Sequence, residues 1–411
     1  MTSLLRSKTP ASTGKSPSIL DLFAAPGGLS EGFRDAGYRI IAQVDSDRWG
    51  CETLSSNFAP TGTLVIESDI EEIQLRANVD VVIGGPPCQS FSQVGRPKIN
   101  DLRKNHNRKR FIDDKRNRLY RQFVKIVGSV KPQFFVMENV PGIASFGEGR
   151  IKEQIIEDFA EAGYLTEVRI LKAADFGVPQ VRRRAIFVGN RLGFPNPFPS
   201  ETHFDHRQGR RSIANSGLGL LSYTTVFDAI SDLPPLQTGE GNDEAEYVSE
   251  GTFTEYQKWA REGSSKLYNH VARVHSTRDR DLFRLLKQGQ TMVDLPKRLR
   301  PYRSDIFADK IKKQSWNQLS RAIVAHMQKD GLMFIHPDEN QARSFTPREA
   351  ARIQSFRDSF RFIGPMTQQF RQIGNATPPL LARAVAYAIR PFIEPSDPKL
   401  QYPLISTQIS N

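Results

Sequence analysis

Thiols are the scarcest chemistry in this chain: 411 residues hold only two cysteines, Cys51 and Cys88. That excludes a disulfide framework and any structural zinc site built from several thiolates, and it fits a reducing compartment. Long hydrophobic runs are also missing. No segment approaches the ~20 apolar residues that span a bilayer, and the opening MTSLLRSKTPASTGKSPS lacks the apolar stretch of a signal peptide. A cytoplasmic protein without a membrane partner is expected, with a flexible leader over residues 1–17 and a tail over 396–411. Acidic residues are in deficit, 45 against 57 lysines and arginines, so the net charge is +12. An excess of that size attracts polyanions, most simply the phosphates of nucleic acid. His270, His275, His326 and His336 are not spaced as zinc ligands, and packing or phosphate contact is their expected role. There is no internal repeat and no long low-complexity tract, and no metal site is expected.

The remaining composition suits a folded enzyme, with 38% hydrophobic and 25% charged residues. The length exceeds the ~100 to 200 residues of an ordinary domain, so two domains are expected. From Ser18 onward, short apolar runs alternate with amphipathic stretches. SILDLFAAPGG reads as a strand running into a tight turn, followed by a helix LSEGFRDAG closed at Gly37. YRIIAQVD, VDVVIGG, QFFVMEN, YLTEVRILKA and RRAIFVGN read as further buried strands, with DRWGCETLSSNF, LYRQFVKIVGSV and RIKEQIIEDFAEAG as helices between them. The pattern predicts an α/β fold with a doubly wound, mostly parallel sheet of about six or seven strands.

The texture changes at FPNPFPSETHFDHRQGRRS, rich in proline and polar residues, and from about Arg191 to His336 the alternation is lost. Regular structure returns at SFTPREAARIQSF, where Thr346 can cap a helix, Pro347 takes its first position and Glu349 completes a capping box. A last apolar helix, PPLLARAVAYAIRPFI, would pack back on the sheet. The expected organisation is a catalytic domain over 18–190 and 337–395, with a smaller domain over 191–336 inserted into it.

The turn FAAPGG, Phe23 to Gly28, lets the backbone approach a ligand at the carboxyl end of a strand, although such turns are as often purely structural. Asp45 ends the next strand, where an acid can hold ribose hydroxyls, and the pair suggests a cofactor containing adenosine. No lysine followed by serine or threonine comes after the glycines, which argues against ATP hydrolysis. VDVVIGGPPCQSFSQ carries a strand into a rigid Gly-Gly-Pro-Pro turn that presents Cys88. A lone cysteine can be buried and inert. One at a strand end among glycine, proline and small polar residues is placed to act as a nucleophile if its surroundings favour the thiolate. Glu138 can equally be a structural cap or ion-pair partner, and the arginines of QVRRR can simply be solvated.

GGPPCQSFS, QFFVMENV, QVRRRAIFVG and QIGNATPP follow one another in the order found in the DNA cytosine C5-methyltransferases, and the chain resembles that family from Asp21 to QIGNATPP. The resemblance implies a Rossmann-like methyltransferase sheet, an inserted target recognition domain, S-adenosylmethionine as cofactor and duplex DNA as partner. By position, Phe23, Ala25, Gly28, Asp45, Asp69, Ile70, Gly85, Pro87, Leu119 and Asn375 match the family's cofactor pocket, with Ala25 standing where glycine is usual. Cys88 matches its nucleophile, Glu138 the acid at cytosine N3 and the exocyclic amine, and Arg182 and Arg184 the arginines that hold the base and the catalytic loop. Asn139 is expected to brace the site. The basic segment RPKINDLRKNHNRKRFIDDKRNRLYR is either a disordered charged loop or, as the resemblance implies, the loop that closes over DNA around an extruded base. The expected role is that of a monomeric modification enzyme beside a companion restriction endonuclease. The alternatives are a cytosine C5-methyltransferase of transfer RNA and a DNA-binding regulator that has lost catalysis.

Overall fold

The computed structural model of the chain describes residues 16–87, 118–206, 219–247, 251–303, 310–395 and 404–407. Cys88, the basic segment up to residue 117, nearly all of the leader and most of the tail lie outside the described residues. The chain packs into two compact units, one of Thr9–Lys172, Arg183–Ser200 and Leu381–Asn411, the other including Ala173–Arg182 and Glu201–Leu380.

In the first unit the chain runs through strands β1 (Ser18–Leu22), β2 (Arg39–Asp45), β3 (Leu64–Glu67), β4 (Ile73–Arg76), β5 (Val81–Gly84), β6 (Phe134–Asn139) and β7 (Leu165–Lys172). After the short strand β8 (Gln180–Val181), which belongs to the second unit, it returns in β9 (Arg183–Asn190). Seven strands form one sheet in the order β3-β2-β1-β5-β6-β9-β7. The first five of these run parallel, and β9 is antiparallel to both of its neighbours.

The central strands β1, β5 and β6 are apolar through most of their length because both faces are covered: Ile19, Leu22, Val81 to Ile83 and Phe134 to Met137 are fully buried. Phe123 and Phe159 meet Phe135 over the sheet, Phe159 in a stacked pair with centroids 3.9 Å apart. The helix Arg48–Phe58 starts where the Asp47 carboxylate accepts the Gly50 amide at 2.9 Å. The final helix, Pro379–Ile389, returns to this unit, where the Tyr38 hydroxyl donates to the Ala386 carbonyl at 2.9 Å. Hydrophobic periodicity does not mark β3, whose LVIE run is short and lacks a buried position.

The second unit has no large sheet among its described residues. A two-stranded antiparallel ribbon joins Gly241–Ala245 to Leu267–Val271. Buried arginines organise much of the rest. The helix Pro347–Ile353 has the expected cap, with Thr346 and Glu349 bonding reciprocally. Glu349 is also gripped by both ends of the Arg343 guanidinium at 2.7 Å. Arg352 pairs with Asp358 and Asp232, and Arg348 donates to the carbonyls of Tyr268, Arg357 and Phe360. All three arginines are fully buried, and each is stable there only because its donors are answered. These bonds tie the Pro347–Ile353 helix to the second unit. His270 is a packing residue, its ring nitrogens facing Thr346 Oγ1 at 3.0 Å and the Pro234 carbonyl at 2.9 Å.

Candidate active site

Parallel pairing brings several loops to one edge of the sheet. Leu22 lies beside Val44 and Gly84, Gly84 beside Met137, and Asp45 beside Glu67, so the residues that follow these strands all emerge together. From β1 the sheet grows one way through β2 and the other way through β5, and open α/β sheets bind ligands in the crevice at such a switch point.

The first loop is tightly held. Phe23 takes the left-handed conformation, φ 57°, and stays half-buried. The Ala24 amide donates to the Val44 carbonyl at 3.1 Å, and the Ala25 amide to Asp45 Oδ2 at 3.0 Å. Asp45 Oδ1 takes the Asp47 amide at 2.8 Å, and burial raises the carboxyl above its usual range against these hydrogen bonds. Gly27, φ 107°, has no room for a side chain: a Cβ there would stand 2.7 Å from the Phe58 ring. The methyl of Ala25 is accommodated by a glycine elsewhere, since a Cβ on Gly50 would come within 2.3 Å of it. Gly28 opens the following helix. Beyond β3, Asp69 is exposed and accepts the Glu71 amide at 3.0 Å, while Ile70 is buried.

The second loop leaves β5 at Gly84. A side chain at Gly84 would collide with the Leu22 carbonyl at 2.4 Å and with Phe123, and one at Gly85 would stand 3.2 Å from Glu138 Oε2. Glu138, near the end of β6, therefore lies directly against the backbone of the turn that leads to Cys88. The antiparallel β9 supplies its partner: Asn139 lies opposite Ala185, and Arg184 forms an ion pair with Glu138 through Nε. Arg184 is further steadied on the Arg183 carbonyl at 2.9 Å. Asn139 Nδ2 donates to the Pro86 carbonyl at 3.1 Å, and its Oδ1 accepts the Val140 amide at 2.9 Å, which fixes the middle of the Gly-Gly-Pro-Pro turn. Pro87 is exposed, and Leu119 is half-buried against the core of the sheet.

Phe23, Ala25, Gly28, Asp45, Asp69, Ile70, Gly85, Pro87 and Leu119 thus belong to the sheet unit with Glu138 and Arg184, whereas Arg182 and Asn375 belong to the other. Arg182 is buried, and its guanidinium donates to the carbonyls of Ile323, Gly374 and Ala376. Sequence reasoning missed two contributors. One is Gly50; the other is Asp21 in β1, where Asp21 Oδ2 accepts from the Ser30 hydroxyl at 2.6 Å and Ser30 Oγ accepts from Gln43 at 2.8 Å. A carboxylate inside an otherwise apolar strand was the available signal for Asp21. Nothing local signals Gly50.

The named positions fit an adenosine-bearing cofactor. Asp45 and Asp69 can accept from hydroxyl and amine groups, Phe23 offers an apolar ring, and neither a lysine nor an arginine stands among them to receive a phosphate. Fold and site together define a Rossmann-like α/β methyltransferase architecture. The chain belongs to the C-5 cytosine-specific DNA methylase family, whose model matches residues 18–390. It is 32% identical to a Type II methyltransferase of Bacillus paralicheniformis, over 91% of this chain and 99% of that protein. It is 37% identical to the Type II methyltransferase M.DdeI of Desulfomicrobium norvegicum, over 92% and 89% of the two chains. Among solved structures, a candidate DNA modification methyltransferase encoded in an E. coli prophage shares the fold with a TM-score of 0.67 at 24% identity, covering 92% of this chain and 99% of the other. No helix among the described residues is long and apolar enough to cross a membrane.

Proposed function

We propose that the protein transfers a methyl group from S-adenosylmethionine to C5 of a cytosine swung out of duplex DNA, as the modification enzyme of a Type II restriction-modification system, with Cys88 as nucleophile. The observation that carries this is the Glu138–Arg184 pair held against Gly85, in the turn that Asn139 braces just before Cys88. A carboxyl and a guanidinium side by side form a surface for the polar edge of a pyrimidine: Glu138 toward N3 and the exocyclic amine, Arg184 toward O2.

Cytosine C5 is a poor nucleophile until a thiolate adds to C6. Attack by Cys88 turns C5 into an enamine carbon, and Glu138 stabilises the charge that gathers toward N3. Once C5 is methylated it loses its proton and Cys88 is expelled, leaving 5-methylcytosine. S-adenosylmethionine, when bound, supplies an electrophilic methyl on a sulfonium. In this reading Phe23, Ala25, Gly28, Asp45, Asp69, Ile70, Gly85, Pro87 and Leu119 would hold it, and Asn375 is assigned with them on the strength of the resemblance. C6 of a stacked base is closed to perpendicular attack, so the base must leave the helix, and the basic segment after Cys88 suits phosphates around the gap. The region within 191–336 is assigned to target recognition. The Type II methyltransferase relatives support DNA as substrate over transfer RNA.

Bisulfite sequencing of DNA from cells expressing the protein will give the methylated sequence. A duplex carrying 5-fluorocytosine at that site is expected to trap a covalent adduct with the wild type and none with Cys88→Ala. Methylation by the Cys88→Ala protein would refute the mechanism.

A further inference from the structure

Charge is unevenly spread in the second unit. Between Ser276 and Arg303 stand eight lysines and arginines against three aspartates, a net +5 in 28 residues of a chain whose total is +12. A charged run is often no more than a solvated face, so what matters is how each charge is used. The three aspartates are all engaged close by. Asp294 accepts the Thr291 amide at 2.7 Å and the Thr291 hydroxyl at 2.9 Å. Asp279 accepts the hydroxyls of Ser276, at 2.7 Å, and Tyr302, and Asp281 pairs with Arg284 at 3.2 Å.

The cations divide into anchors and free groups. Arg300 turns back on its own chain and donates to the carbonyls of Leu295 at 2.8 Å and Val293 at 2.7 Å. Leu295 belongs to a small core with Leu282, Phe283, Leu286 and Met292, and Tyr302 packs against that core. Arg278 donates to the Tyr302 hydroxyl at 2.9 Å, with its guanidinium 4.6 Å from the ring centroid. The stretch between Leu295 and Tyr302, which includes the single helical turn Lys297–Leu299, is therefore pinned at both ends. Lys297 and Arg298 within it are exposed, and neither side chain has an ion-pair or hydrogen-bond partner among the described residues. Two uncompensated cations on a fixed backbone can meet a polyanion without the cost of first ordering the chain that carries them.

We propose that the turn from Pro296 to Tyr302 is a docking element for the sugar-phosphate backbone of duplex DNA, in which Lys297 and Arg298 contact phosphates while Arg300 and Tyr302 hold the turn in place. This rests on the reading of duplex DNA as substrate. Phosphate contacts need charge at the right place and carry no base information, so the turn contributes affinity and orientation to every duplex alike and leaves the choice of sequence to other residues.

The test uses the full-length protein and two duplexes, one with the methylated sequence found by bisulfite mapping and one unrelated, with binding measured across a salt series. In Lys297→Gln/Arg298→Gln, the plot of log affinity against log salt should become shallower by about 2, because each phosphate contact contributes about 0.9. Affinity at ~0.1 M salt should fall on the order of ten-fold or more for both duplexes, so that their ratio is kept. KM for DNA should rise with little change in kcat, and S-adenosylhomocysteine binding should be unaltered, which also shows that the variant is folded. Lys297→Arg/Arg298→Lys, which keeps both charges, should bind DNA within about two-fold of the wild type. Lys131→Gln/Lys152→Gln removes the same two charges from the sheet unit and serves as the control. Equal weakening by this control would overturn the proposal, because net charge alone would then explain the loss. So would an unchanged salt slope in Lys297→Gln/Arg298→Gln, or a loss confined to the methylated sequence. A wild-type protein that binds transfer RNA and not duplex DNA would instead overturn the reading of the substrate, and the proposal with it.

Discussion

Asp21 lies in β1, shortly before Phe23, and is fully buried. Burial pushes its carboxyl up to about 8; the Ser30 hydroxyl opposes this, and the neighbouring charge of Asp45 adds to it. Oδ1 has no hydrogen-bond partner among the described atoms, which is where a retained proton would sit. In the unfolded chain the same group ionises near 3.8. Between these values the folded protein holds a proton that the unfolded one has released, so stability is fully present below the lower value and is lost as the pH climbs toward the upper one. The slope for one proton is about 1.4 kcal/mol per pH unit, so moving from about pH 5 to about pH 7 should cost on the order of 3 kcal/mol. Asp21→Asn keeps the shape and an acceptor for Ser30 but cannot ionise. Urea unfolding of both proteins across this range should show the variant gaining on the wild type by that amount as pH rises. Parallel stability curves would mean that Asp21 is charged in the fold and that its environment has been misread.

Gly50→Ala should cost about 1 to 3 kcal/mol, because the new methyl meets that of Ala25 at 2.3 Å, and Ala25→Gly in the same chain should recover most of the loss in unfolding experiments. Glu349 is buried, which opposes its charge, yet Arg343 and His336 beside it bring its carboxyl down to about 2. Glu349→Gln leaves Arg343 buried without its anion and should lower stability by about 3 to 5 kcal/mol near neutral pH, whereas a change under 1 kcal/mol would remove the pair from the account.

What could be read in the residues was local. The inner strands of the sheet announce themselves because both faces are buried and the runs are uninterrupted, and the cap at Thr346 lies within four residues of chain. β3 escapes because LVIE is short and none of its positions is buried. The second unit escapes for another reason. Arg343, Arg348 and Arg352 look like a solvated helix face, and only folding shows them fully buried and bonded to Glu349, Asp358, Asp232 and distant carbonyls. Motifs named Glu138 and Arg184, but their pairing depends on the antiparallel register of β6 and β9, which no motif states. The buried surroundings of Arg182 were hidden for the same reason, since its acceptors lie more than a hundred residues away.

Gln180 and Arg182 point inward while Val181, 55% exposed, and Arg183 point outward. The stretch therefore works as a ruler whose odd marks carry no message. Val181 and Arg183 can change identity at little cost, but deleting either would break this alternation and pull Arg184 off Glu138. Among descendants of this gene, variation at these two places should be frequent in kind and absent in length.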